Sequence, residues 1–238
     1  MNENIKKVAI MQPYFLPYLG YFQVMNAVDQ YVVYDDVNFI KGGRINRNEI
    51  LANGQAQQIN ILLFKASPNK HINEITLLPD AIAREKLIKT ITLNYNKAPY
   101  YETVFPLVKE ILLYDESNLA LFLYHSFQVI CKYLGIKTEL ILSSDLKKDC
   151  SLKAEEKVYH ICHLLQATDY YNSIGGKELY SHEEFEKQNL HLHFLTMNPD
   201  VKYKQFKNEF VPNLSILDVM MFNSVEEIQQ LLQHYSLS

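Results

Sequence analysis

Residues 8–22 read VAIMQPYFLPYLGYF, and this stretch decides how the rest of the chain is parsed. A short apolar run, Val8 to Met11, gives way to a loop with two prolines and then to residues at helical spacing. Pro13 and Pro17 fix φ and remove two backbone donors. They also steer Gln12 and Leu16, the residues before them, toward extended backbone. The segment therefore predicts strand, rigid loop and helix. In an open α/β sheet the first such loop is where ligands are held. Gln12 and three tyrosines (Tyr14, Tyr18, Tyr21) crowd into it, with Pro13 and Gly20 shaping the backbone, so a binding site is expected here.

Outward from that stretch, apolar runs predict strands at 31–35, 57–64, 138–142, 169–172 and 190–195, with a short extended piece near 72–77. Helical spacing marks 19–28, 80–93, 100–114 and 154–165. The clearest helix carries Leu119, Phe122, Leu123, Phe127, Ile130, Cys131 and Leu134 on one face, and Gly135 follows as a stop. Capping boxes are expected at Ser181-x-x-Glu184, Ser215-x-x-Asp218 and Ser224-x-x-Glu227. Strands alternating with helices predict an α/β fold with a mostly parallel sheet flanked by helices. The helices at 80–134 interrupt the alternation and read as an inserted helical subdomain or cap within a single domain spanning 1–238.

Composition narrows the function. The 238 residues suffice for a sizeable core, and 48% hydrophobic with 21% charged content is ordinary for a soluble globular chain. A net charge of −4 without a dominant basic patch argues against a nucleic-acid partner. No apolar run reaches the roughly 18 residues of a membrane span. MNENIKK lacks a signal core, so a cytoplasmic protein is expected. Cys131, Cys150 and Cys162 have no metal-like spacing and read as small hydrophobes or incidental thiols, with a catalytic thiol at Cys150 the alternative. The pairs His160/His163 and His191/His193 lack a ligand set around them, and no metal site is expected.

The unusual loops each follow a predicted strand: MQPYFLP, DDVNFIKGGRINRNE, SSDLKKD and NSIGGKELY. Parallel strands would gather all four at one sheet edge, the edge where doubly wound folds bind ligands. Asp35 and Asp36 end a strand, where a carboxylate can act as general base, magnesium ligand or ribose partner, or simply start a turn. Adjacent strand residues face opposite ways, so at most one of them is expected to enter the cleft. Gly42-Gly43 permits a tight turn. Lys41, Arg44 and Arg47 interleave with Asn46 and Asn48, a pattern for phosphate or carboxylate, or else a solvated hairpin face. Ser144 sits in the third loop. Ser173, Gly175, Gly176 and Lys177 offer close backbone approach and a cation, with Tyr180 able to stack; a plain turn is the alternative. Lys97, between two helices, joins Asp35 and Asp36 as a catalytic candidate. Ser215 and Asp218 are binding candidates that also fit helix capping.

MQPYFLPYLGYF, DDVNFIKGGRINRN, YNKAPYYETVFP, SSDL, NSIGGKELY and FVPNLSILDVMMFN occur in that order. Together they resemble the WbqC-like proteins of bacteria over nearly the whole chain. The resemblance implies a role in building or decorating a surface-polysaccharide precursor. The chain departs from the commoner pattern at Tyr18, where Trp is frequent, and at NSIGG, where Ser-Gly and further small residues are usual. A weaker likeness is to nucleotidylyltransferases, Rossmann-like proteins that place HxGH where this chain has Tyr18-Leu19-Gly20-Tyr21. Tyrosine hydroxyls can hydrogen-bond a phosphate but supply no imidazolium charge.

Two functions are therefore expected. One is a nucleotide-dependent transferase that moves an acyl or aminoacyl group onto an amino sugar or related precursor, with a nucleotide-linked amino sugar as partner and ATP with Mg²⁺ as candidate cofactors. The other is a non-catalytic ligand-binding or scaffold protein of a glycan-assembly pathway.

Overall fold

In the computed structural model, which describes residues 5–207 and 209–238, the opening run becomes β1 (Lys7–Met11). α1 (Leu19–Asn26) and β2 (Gln30–Val33) follow. β3 (Arg47–Ala52) and β4 (Gln55–Asn60) pair as a hairpin, and β5 (Leu63–Phe64) pairs with β6 (Thr76–Leu77). Three helices come next: α2 (Ala81–Tyr95), α3 (Tyr101–Leu112) and α4 (Leu119–Leu134). The alternation then resumes with β7 (Glu139–Leu142), α5 (Ala154–Leu164), β8 (Asp169–Ser173), α6 (His182–Lys187) and β9 (His191–Met197). α7 (Ile216–Phe222), α8 (Val225–Leu231) and β10 (Tyr235–Leu237) close the chain.

The main sheet has the order β10-β9-β8-β1-β2-β7. All neighbours pair in parallel except β10, which runs antiparallel to β9. β1 is central, and its Val8, Ala9 and Ile10 are buried on both faces, as a parallel strand requires. Alternation divides them. Val8 and Ile10 pack with Val158 and Ile161 of α5 and Phe185 of α6. Ala9, with Tyr31 and Val33 of β2, packs with α1, α4 and α7. Chain order reverses across the sheet between β1 and β8.

α4 shows why the sequence was readable here. The Asn118 side chain accepts from the Ala120 and Leu121 amides, and Gly135 ends the helix at φ 72°. Residues of α2, α3 and α4 join the same buried cluster as Ala9 and Tyr31. The 80–134 helices thus share the core of the sheet face they cover.

Four expectations change. The strand expected at 57–64 is one arm of the β3–β4 hairpin plus β5. Its turn, Asn53 at φ 51° and Gly54 at φ 78°, is the left-handed pair that a two-residue hairpin needs. β10 pairs at the sheet edge, where no strand was expected. Ser181 begins α6 without a side-chain cap, whereas Ser224 and Glu227 do form a capping box. Leu16 is not extended: its φ is 45°. Among the described residues no helix is long and apolar enough to cross a membrane.

Candidate functional site

The loop after β1 is held by long-range bonds rather than by its own stiffness. A left-handed φ is costly for a leucine, more so before proline. The Leu16 carbonyl accepts from Asn48 Nδ2 at 2.7 Å and from Ser215 Oγ at 2.8 Å. Asn48 Nδ2 also donates to the Phe15 carbonyl at 3.0 Å. The Phe15 amide donates to the Arg44 carbonyl, and the Ile216 amide to the Pro17 carbonyl. Asn48, at 3% exposure, and Ser215, fully buried, are therefore clamps that fix the loop's shape. The Ser215 hydroxyl additionally accepts from the Leu217 amide at the start of α7.

This clamping leaves a cavity of about 280 Å³ lined by Tyr14, Pro17, Tyr18, Arg44, Asn48 and Asn213. Arg44 reaches Glu49 Oε2 with both terminal nitrogens at 3.1 Å, on the open side. Burial pushes the Tyr14 and Tyr18 hydroxyls up from 10.0, so both stay protonated donors; Arg44 partly offsets the rise at Tyr14. Gly20 is needed for this arrangement. A Cβ there would sit 2.4 Å from Tyr18 Cε2, inside the ring that lines the cavity. Tyr21 does not line it. That ring is wholly buried, and its hydroxyl donates to the Gln12 carbonyl at 2.8 Å. Pro13 is likewise buried beneath the loop. For Tyr21 the cause is plain: α1 turns it inward, toward Tyr31 and Phe127.

The second and third loops meet beside the first. Asp35, 1% exposed, accepts from the Ser144 amide at 2.9 Å, from Ser144 Oγ at 2.6 Å and from Asn73 Nδ2 at 3.3 Å. Asp36 Oδ2 is shared by Lys148 Nζ at 2.9 Å and Lys157 Nζ at 3.0 Å. Lys148 also donates to the Ser143 carbonyl, and Lys157 lies over the Tyr34 ring. Burial raises the Asp36 carboxyl, but Lys148, Ser143 and Lys157 outweigh it, and the group sits below its ordinary 3.8. Both carboxylates are thus joints between β2 and the segment after β7.

The remaining candidates are dispersed. Lys41, Asn46 and Arg47 line a separate open groove with Asn60 and Leu62. Arg47 Nε donates to the Gly43 carbonyl and Asn46 Nδ2 to the Ile61 carbonyl, so both brace the hairpin's base. The hairpin splits what the sequence interleaves, sending Arg44 and Asn48 to one cavity and the other three to this groove. After β8, the Ser173 amide donates to Asn172 Oδ1. Gly176 gives room to the Asn172 amide, 2.8 Å from a notional Cβ, while Gly175 faces open space apart from Ser173 Oγ at 3.8 Å. Lys177 is exposed, and Tyr180 packs edge-on against Tyr170 and Phe185. Lys97 is exposed between α2 and α3, with no hydrogen bond or ion pair to the other candidates among the described residues.

Asp218 is fully buried and caps nothing. Its carboxylate accepts from Tyr95 OH at 2.8 Å, Tyr203 OH at 2.7 Å and Gln205 Nε2 at 2.6 Å. Tyr95 OH in turn accepts from the Leu51 amide of β3. Burial raises the Asp218 carboxyl above 3.8 despite the three donors. The hub ties α2, β3 and α7 to Tyr203 and Gln205.

Sequence reasoning missed Asn213, Pro17 and the two lysines on Asp36. Asn213 carries φ 58°, a conformation suited to asparagine. Lys157 had a readable signal: it lies one turn before Ile161 on α5's apolar stripe, where an unpaired lysine does not belong.

Magnesium takes hard oxygen donors, carboxylates foremost. Asp35 has both oxygens engaged by Ser144 and Asn73, and Asp36 is neutralised by two ammoniums, so these residues do not fit a magnesium seat. Among the described residues no three His, Cys, Asp or Glu groups gather as a metal site.

A mostly parallel sheet flanked by helices defines a mixed α/β protein. The chain belongs to the WbqC-like protein family, whose model matches residues 12–230. It is similar to the uncharacterized protein Rv1507c of Mycobacterium tuberculosis (strain ATCC 25618 / H37Rv). The two are 28% identical over 232 residues, which cover 97% of this chain and 99% of the relative. No solved structure matches the chain.

Proposed function

We propose that this WbqC-like protein seats the sugar ring of a nucleotide-linked amino sugar, or a related precursor, in the cavity beside Tyr18. The seat serves nucleotide-dependent acyl or aminoacyl transfer in bacterial glycan biosynthesis. One observation carries the reading: aromatic faces from Tyr14 and Tyr18 and planar polar groups from Arg44 and Asn213 converge on one cavity of about 280 Å³. A sugar ring has apolar faces and a rim of hydroxyls, and flat aromatics beside planar donors complement both. Glu49 already neutralises Arg44, which favours hydroxyls over a bare carboxylate as the ligand's rim. The strand order adds support. Numbered along the chain, the sheet reads 3-2-1-4-5-6, the order of dinucleotide-binding sheets, whose ligands lie where the order reverses.

Isothermal titration with UDP-N-acetylglucosamine and with free glucosamine tests the seat. Binding is expected with the intact protein and at least about tenfold weaker binding with Tyr18→Ala. No heat with either sugar overturns the reading.

A second reading has its own observation. Asp35 and Asp36 both have their charges engaged, which suits a non-catalytic ligand-binding or scaffold protein. Mass spectrometry of a UDP-linked amino sugar incubated with the purified protein, ATP and an acyl or aminoacyl donor separates the two: an acylated sugar supports the transferase, an unchanged sugar the scaffold.

A further inference from the structure

A second cavity, of about 210 Å³, adjoins the polar one. The two share Tyr18 and Asn213 as walls. Beyond that partition the chemistry changes. Leu19, Val201, Phe210, Leu214 and Val219 line the second cavity, and four of these are at most 8% exposed. Its outer wall is tied down. Gln205 and Val211 exchange two hydrogen bonds, at 3.0 and 2.7 Å. Tyr203 and Gln205 both donate to Asp218. Tyr203 is itself a wall of the cavity, so a polar network anchored on Asp218 fixes part of its lining. A preformed apolar cavity costs little ordering when filled.

We infer that the site takes an amphipathic ligand: a sugar-like head in the polar cavity and an apolar substituent on that head in the second cavity, on either side of the Tyr18 ring. This rests on the sugar seat proposed above and specifies what the sugar carries. The apolar occupant is a short alkyl or acyl group of the ligand itself, because the cavity continues from the polar one across a shared side chain. Tyr18 suits the partition, since its ring offers an apolar face to one side and its hydroxyl a polar edge to the other.

The experiment is titration calorimetry with two glycosides of glucosamine, methyl and hexyl. The hexyl glycoside is expected to bind at least about tenfold more tightly, since each buried methylene adds to affinity. Val201→Phe, which fills the second cavity, is expected to bring the hexyl-to-methyl ratio toward one. Met197→Trp fills the same cavity from β9 and replaces it should Val201→Phe fail to fold. A hexyl glycoside that binds no tighter than methyl, or a ratio that survives both filled variants, overturns the inference while leaving the sugar seat standing. Failure of both glycosides to bind overturns the seat and this inference with it.

Discussion

Asn48 donates from Nδ2 to the Leu16 carbonyl at 2.7 Å, joining β3 to the loop after β1 at a residue held in left-handed backbone. The same amide reaches Phe15, so one side chain satisfies two buried carbonyls. Asn48→Ala takes this donor from the Phe15 carbonyl and leaves Leu16 with Ser215 alone, and is expected to cost about 2–3 kcal/mol. Ser215→Ala removes the second donor to Leu16 and the α7 cap, for about 1–2 kcal/mol. Urea unfolding midpoints measure both. A loss under about 0.5 kcal/mol for Asn48→Ala would show that the loop holds its shape without the clamp.

Asp218 gathers three donors in the dry interior. In Asp218→Asn the amide nitrogen must face donors, and a loss of roughly 2–3 kcal/mol at neutral pH is expected. The raised carboxyl also sets a sign. Its folded-state pKa exceeds the ordinary 3.8, so its contribution is full below 3.8 and is lost as pH rises through the raised value.

Asp36 works in the opposite sense. Its folded-state pKa lies below 3.8, so its ion pairs with Lys148 and Lys157 stabilise above 3.8 and are lost as pH falls through the lowered value. Thermal melts of the intact protein and of Asp36→Asn, followed from neutral pH into strong acid, should converge at the acid end. A gap that stays constant with pH would refute the assignment.

Gly20→Ala would ordinarily strengthen a helix by about 1 kcal/mol. Here the added methyl meets the Tyr18 ring at 2.4 Å and must displace it. The expected result is a fold of near-unchanged stability with sugar binding weakened at least about tenfold, because Tyr18 walls both cavities. Unchanged binding would mean that the ring's position is immaterial.

The three thiols differ in reach. Cys131 and Cys162 are buried, and burial pushes both up to about 12, while Cys150 is exposed. A thiol-reactive reagent should label Cys150 alone in the native protein and all three in denaturant, as intact-mass measurement would show.

The parallel strands and their helices were legible because local patterns and tertiary demands agree there. Val8 to Met11 is apolar because both faces of β1 are covered, and α4 carries its cap, stripe and glycine stop in sequence. The β3–β4 hairpin was obscured for the opposite reason. Residues 55–58 of β4 are all exposed and three of the four are glutamines, so no alternation marks the strand, and only Asn53-Gly54 announces the turn. The candidate site was partly legible. Tyr14, Tyr18, Arg44 and Asn48 line its cavity, but Tyr21, Lys41 and Arg47 look equivalent to them in sequence and lie elsewhere.

The sequence by itself determined the parallel strands with their helices and which loops hold unusual residues, because periodicity and turn chemistry are local. Only the tertiary structure decided what each of those residues does. The path of the chain into the hairpin sends Arg44 and Arg47 to different cavities. Burial turns Asp35, Asp36 and Asp218 into joints by surrounding them with donors from distant segments. The left-handed Leu16, against its proline's local preference, is held by Asn48 and Ser215, 32 and 199 residues away along the chain. Buried polar groups must be satisfied, and in a fold of this order their partners come from segments that only folding brings together.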